Sequence, residues 1–222
     1  MQDVGIPPNP VTFIYIVRAC GSMGLLEKGN QIYIDVVCKG FDNDLFVGNT
    51  VIDMYAKCGL VCEAQEVFAK LSVRDTASWN SMISGYGINH DIRRAVQVFE
   101  NMQDDKRVMP DATTFICLLS ACSRGSLVNE GHKYFRMMAE VYGIGPTTNH
   151  WNCIVDLLAR AGDIYEAMKF IELITSSSSP SRDMLTALLT ACRTCAKVDL
   201  GLTCFKQLAQ VKNGRCMLDT VH

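Results

Sequence analysis

Residues 45–71, LFVGNTVIDMYAKCGLVCEAQEVFAKL, hold two helical patterns joined at a glycine. In the first, Val51, Ile52 and Tyr55 recur at spacings that one helix face can hold. Gly59 ends that helix, because glycine takes the left-handed backbone of a helix C-terminus without a Cβ clash. In the second, Val67, Phe68 and Leu71 form the core face, and the small Ala64 lets a neighbouring helix approach. The layout returns in SWNSMISGYGINH followed by DIRRAVQVFENM, and in HWNCIVDLLARAG followed by DIYEAMKFIELI.

Ala64 belongs to a row. Gly29, Ala64, Ala95, Gly131, Ala167 and Gly201 follow one another at intervals of 35, 31, 36, 36 and 34 residues. Four residues after each stands a bulky side chain: Tyr33, Phe68, Phe99, Phe135, Ile171 and Phe205. Self-similarity at this period predicts stacked helical hairpins rather than one globular core. In register, the chain divides into five units, 10–44, 45–75, 76–111, 112–147 and 148–181. A sixth, degenerate unit runs from 182 towards the C-terminus, and residues 1–9 read as the tail of a preceding unit. The serines at 176–179 are expected to form a loop. Beyond Val211 the periodicity fades, so KNGRCMLDTVH is expected to be frayed or loosely docked.

Composition agrees with a chain folded throughout: 49% of residues are apolar and 20% charged. The net charge of −2 gives no whole-protein attraction to nucleic acid, so any case for nucleic-acid binding must rest on local charge placement. Among the eleven cysteines, Cys20, Cys122 and Cys192 each follow an alanine at one repeat offset. A small apolar residue in a helix–helix seam explains that recurrence better than crosslinking does. The sequence has no secretory signal and no apolar run long enough to span a membrane, and no membrane partner is expected.

FVGNTVIDMYAKCG, SWNSMISGYG, TFICLLSACSRGSLVNEGHKYFRMM, HWNCIVDLLARAGDIYEAMKFI and LLTACRTCAKVDLG together resemble the plant pentatricopeptide-repeat (PPR) family. The likeness is to its PLS subclass, in which long, short and standard repeats alternate. It implies an all-α fold, a right-handed α-solenoid of stacked antiparallel helical hairpins. The order of units resembles the C-terminal part of such an array, followed by a degenerate start of the E extension. Three residues depart from the family pattern at turns between helices: His90, Ser126 and Ala196 stand where glycine is usual. Leu185 stands where the extension usually has tryptophan.

The resemblance further implies that the fifth and last residues of each repeat together choose one RNA base; the family is itself an established example of one-base-per-repeat reading. Those pairs are Ile14 with Asp44, Asn49 with Asp75, Asn80 with Asp111, Ile116 with Thr147, and Asn152 with Ser181. An Asn amide has both a donor and an acceptor for a Watson–Crick edge, and a nearby Asp can hold it in one orientation. By the family's code the two Asn/Asp pairs favour adjacent uracils, Asn152/Ser181 is a weaker pyrimidine reader, and the two isoleucines discriminate poorly. The alternative for the three asparagines is solvated or helix-capping amides. Lys57, Arg124 and Arg160 each sit twelve residues after the start of their unit, where they can follow the RNA backbone or serve as ordinary helix-end charges. Val11 and Phe46, second in their units, suit stacking on bases and core packing equally.

Catalytic signals are missing. No His is followed two residues on by Glu, as a zinc-deaminase site of the DYW type requires, and Cys192–Cys195 has no second ligand pair. No catalytic residue, metal or cofactor is therefore assigned. The expected function is sequence-specific binding of single-stranded organellar RNA in a mitochondrion or chloroplast. The expected role is site recognition for C-to-U editing, with the deaminase or other editing factors supplied in trans. Alternatives are a factor for organellar RNA processing, splicing or stability, a protein-binding scaffold, and a truncated fragment.

Overall fold

The structure is a computed structural model that describes residues 7–175 and 180–218; the serine run at 176–179 and the last four residues lie outside the described residues. All regular structure among the described residues is helical. The helices are α1 (Pro10–Met23), α2 (Leu26–Cys38), α3 (Leu45–Lys57), α4 (Val61–Lys70), α5 (Thr76–Ile88) and α6 (Ile92–Asp104). They continue with α7 (Ala112–Gly125), α8 (Val128–Glu140), α9 (Thr148–Ala161), α10 (Ile164–Thr175), α11 (Arg182–Thr194) and α12 (Val198–Leu218). The odd-numbered helices begin at residues 10, 45, 76, 112, 148 and 182, the first residues of the six sequence units. α12 is helical to Leu218, beyond the point where the sequence pattern fades.

The chain divides into two compact units, residues 1–121 and 122–222. In the first, α1, α3 and α5 lie side by side, and α2, α4 and α6 each pack on the helix before them. In the second, α9 and α11 are neighbours, with α10 on α9 and α12 on α11. Small residues set the spacing within the layer of first helices. A Cβ added at Gly85 would stand 3.0 Å from the Ala56 Cβ, and one at Gly87 would stand 2.9 Å from the Ala121 Cβ. The periodic small residues do the same between layers: Ala64, Ala95 and Ala167 are fully buried.

The bulky row builds the contact from one hairpin to the next. Phe68 meets Trp79 at 5.0 Å between ring centroids, Phe99 meets Phe115 at 5.9 Å, and Phe135 meets Trp151 at 4.9 Å. Each partner is the fourth residue of the following unit. Edge and tilted ring pairs of this kind add to the area they bury. Phe205 departs from the row and is exposed, because among the described residues no further helix lies beyond α12 to cover it.

Cys20, Cys122 and Cys192 are buried, and none of the three is in a disulfide. Burial, aided by the charge of Glu130, pushes the Cys122 thiol up to about 12, so it stays protonated and unreactive. Gly59 and Gly162 close α3 and α9 with φ of 84° and 82°. His90, Ser126 and Ala196 close α5, α7 and α11 in the same left-handed region, at φ of 60°, 52° and 54°. The turn geometry is thus kept where glycine is not, at a cost of about 1–2 kcal/mol for each residue with a Cβ.

Candidate nucleic-acid interface

The last residue of each sequence unit is the N-cap of the next unit's first helix. The Asp44 carboxylate accepts from the amides of Phe46 and Val47, both at 3.0 Å. Asp75 accepts from the Ser78 amide at 2.8 Å, Asp111 from the Thr114 amide at 2.8 Å, and Ser181 from the Met184 amide at 3.2 Å. Thr147 caps α9 in a reciprocal arrangement in which its own amide donates to His150 Nδ1 at 3.1 Å. Capping fixes these side chains at the start of one helix, beside the preceding first helix. The sequence carried a signal for this role, since Ser78 and Thr114 follow their aspartates by three residues as in a capping box.

The caps then reach back to the asparagines. Asn49 donates through Nδ2 to Asp75 Oδ1 at 3.3 Å, and Asn80 donates through Nδ2 to Asp111 Oδ1 at 3.1 Å. Both amides are therefore held with Oδ1 turned away from the carboxylate. Those two oxygens, Asn49 Oδ1 and Asn80 Oδ1, are buried acceptors without a hydrogen-bond partner. Buried polar atoms are rarely left so, and a specific orphan asks for a ligand or a water. Burial raises the Asp75 carboxyl, but hydrogen bonds from the Ser78 amide and hydroxyl and from Asn49 outweigh it and hold it below the usual carboxylate range. Asp75 is thus ionised and can only accept, which forbids the reversed amide.

The third asparagine is turned the other way. The Ser181 hydroxyl donates to Asn152 Oδ1 at 2.6 Å, so the amide turns Nδ2 away from Ser181. A hydroxyl can donate or accept, so Ser181 tolerates either orientation where an Asp tolerates one. Ile14 and Ile116 carry no side-chain polar group to pair with Asp44 and Thr147.

In the first compact unit the asparagines open into a trough of about 490 Å³ that includes Ile14, Arg18, Phe46, Asn49, Asn80 and Asp111. Val11 and Phe46 are exposed, which removes the core-packing alternative for both. Arg18 is a trough residue that the fifth-and-last pairing misses; its position one turn after Ile14 on α1 is the signal that finds it. In the second compact unit a trough of about 420 Å³ includes Asp156, Arg160, Thr186, Thr190 and Thr194. Thr186, fifth in the sixth unit, donates its hydroxyl to the Arg182 carbonyl at 2.8 Å.

The basic row is less free than the sequence suggests. Lys57 Nζ lies 2.6 Å from Asp53 Oδ2, and Arg160 Nε lies 2.8 Å from Asp156 Oδ2. Asp156 Oδ2 also accepts from the Ser123 hydroxyl at 2.5 Å. Each cation is thus paired with a carboxylate one helical turn before it, and partial exposure makes such pairs weak and screened. Arg124 is exposed in the last turn of α7.

The sequence model of the PPR repeat family matches residues 74–124, and that of the PPR repeat matches 49–75, 113–141 and 150–178. The chain belongs to the PPR repeat family. Its similar curated proteins include a pentatricopeptide repeat-containing protein of Arabidopsis thaliana that is 35% identical over 96% of this PPR chain and 39% of the relative. Two further Arabidopsis relatives are named as mitochondrial, at 37% identity over 96% of the chain and 34% of the relative, and as chloroplastic, at 34% over 97% and 26%. The PPR chain thus spans between about a quarter and two-fifths of the length of these relatives. The same fold occurs in the pentatricopeptide repeat protein PPR10, solved with an 18-nt psaJ RNA element, with a TM-score of 0.78 and 19% identity over 96% of this chain and 32% of that one. It occurs also in the PPR domain of Arabidopsis protein-only RNase P 1, solved with tRNA, with a TM-score of 0.56 and 20% identity over 76% of this chain and 93% of that one. No helix among the described residues is long and apolar enough to cross a membrane.

Proposed function

We propose that this chain binds single-stranded RNA and reads its bases through the fifth and last residues of each repeat. The observation that carries the proposal is the pair of buried, unpartnered acceptors, Asn49 Oδ1 and Asn80 Oδ1, beside an exposed aromatic ring. An acceptor of this kind calls for a donor on the base edge. The N3–H of uracil supplies one, whereas N3 of cytosine is itself an acceptor. That match agrees with the family's code, by which Asn49/Asp75 and Asn80/Asp111 read two adjacent uracils. Asn152 turns a donor away from Ser181 and suits the N3 acceptor of cytosine, but Ser181 lets it turn for uracil, which makes it a weaker pyrimidine reader. Ile14/Asp44 and Ile116/Thr147 lack a polar reader at the fifth position and discriminate poorly through it. Val11 and Phe46 offer surfaces for stacking, and Lys57, Arg124 and Arg160 the cations for the backbone.

The site of action is an organelle, mitochondrion or chloroplast, in keeping with the names of the two relatives above. Within that setting the role is site recognition for C-to-U editing, with the deaminase supplied in trans; this finer assignment rests on the resemblance to the PLS subclass. The test is fluorescence anisotropy with short RNAs that differ only at two adjacent bases, at two salt concentrations. A preference for UU over AA and GG, lost in Asn49→Ala and Asn80→Ala, supports the reading. Salt-sensitive binding without preference leaves a generic RNA contact, and no binding at low salt removes the proposal.

A further inference from the structure

We propose that Arg18, Ile14 and Phe46 form a guanine site next to the base read by Asn49. The inference rests on the reading above and concerns the position that Ile14 leaves without a polar reader. Ile14 and Arg18 stand one turn apart on the same face of α1, and both line the trough that holds Phe46, Asn49 and Asn80. Phe46 is 70% exposed, so its ring is free to take the face of a base. Stacking on such a ring binds every base, and by itself it selects none.

Of these three trough residues, Arg18 is the one whose side chain can select a base. Among the described residues no hydrogen bond or ion pair engages its guanidinium. A guanidinium carries only donors in a planar fork, and its matching base edge is two adjacent acceptors, O6 and N7 of guanine. Adenine places a donor at the first of these, and the pyrimidines lack the second acceptor.

A phosphate contact is the obvious rival, and the repeat row argues against it. Arg18 is ninth in its unit, and the ninth residues of the following units are Asp53, Ser84, Ser120 and Asp156. Asp53, the next ninth residue and in the same compact unit as Arg18, would oppose a row that tracked phosphates. Asp53 and Ser84 line the same trough as Arg18, which places this row beside the bases, one turn before the basic row of Lys57.

The test uses the whole chain and RNAs with a fixed UU, each flank varied singly through G, A, C and U. The proposal expects one flank to favour guanine by about 5- to 150-fold, the range for a bidentate arginine contact. Arg18→Met should abolish that preference while leaving UU over AA intact. Arg18→Lys should not restore it, and Phe46→Ala should weaken all four bases at that flank. Arg18 is exposed, so these variants are expected to melt as the wild type does. If Arg18→Met weakens all flanking bases equally and flattens the salt dependence, Arg18 is a phosphate contact and the proposal is overturned. The same holds if UU is preferred and neither flank discriminates. Loss of the UU preference in the wild type would instead remove the base-reading scheme itself.

Discussion

Replacing Asp111 by serine separates the orientation of a reading amide from the cap that holds it. In the wild type, Asp111 Oδ1 accepts from Asn80 Nδ2 at 3.1 Å and from the Thr114 amide at 2.8 Å. Turning the Asn80 amide would set its oxygen against the carboxylate, with no proton between them. The turn loses a hydrogen bond to a charged group, about 1.5–3 kcal/mol, or roughly a 10- to 150-fold bias towards the observed orientation. Serine caps helices about as well as aspartate, so stability should fall by no more than about 0.5 kcal/mol. Its hydroxyl accepts or donates, as Ser181 does towards Asn152, so the bias should largely vanish. The assay is anisotropy with two RNAs that differ only in uracil or cytosine opposite Asn80. Wild type should favour uracil by at least about 10-fold, and Asp111→Ser should bring the two within about 3-fold. An undiminished uracil preference in Asp111→Ser, with its melting curve intact, would refute the claim that the carboxylate orients the amide.

Other perturbations address the scaffold. Ala95 is fully buried where α6 meets its neighbours, so Ala95→Trp should lower stability by about 1–3 kcal/mol in chemical denaturation; an unchanged curve would contradict the helix pairing. His90 holds φ at 60° on the surface, and His90→Gly should raise stability by about 0.5–1 kcal/mol, whereas a loss would show that the imidazole makes a contact that matters. Hydrogen bonds hold the Asp75 carboxyl below its unfolded value of about 3.9, so its contribution is present above that pH and is lost as pH falls through the folded value. The stability gap between wild type and Asp75→Ala should accordingly narrow below about pH 4 in melts across acid pH, and a constant gap would count against an ionised cap.

Much of this molecule was legible in the sequence because repetition averages out local ambiguity. One helix of 13 residues is hard to bound, but six copies of one pattern place every first helix at a unit boundary. The fifth-and-last pairing was legible through the family resemblance alone. Part of its physical basis was legible too, since an Asp was expected to hold the Asn amide; the cap was not, because Asp75 and Asp111 act through two partners at once, a helix amide ahead and an asparagine about 30 residues behind. The opposite amide orientations of Asn80 and Asn152 follow from the donor capacity of Asp and Ser, which becomes decisive only when their side chains are seen to meet. Composition hid the pairing of Lys57 and Arg160 with Asp53 and Asp156, since a cation and its carboxylate one turn apart both read as solvated charge. The left-handed turns at His90, Ser126 and Ala196 were legible only as departures from a glycine pattern; the backbone keeps its path there because the helices on either side fix it.

The most direct measurement of the central claim is a crystal structure of the chain with an RNA that contains UU. The account predicts the N3 of one uracil within hydrogen-bond distance, about 2.7–3.2 Å, of Asn49 Oδ1 and the N3 of its neighbour within the same distance of Asn80 Oδ1. Bases bound elsewhere on the chain, with both amide oxygens still unpartnered or occupied by water, would contradict it.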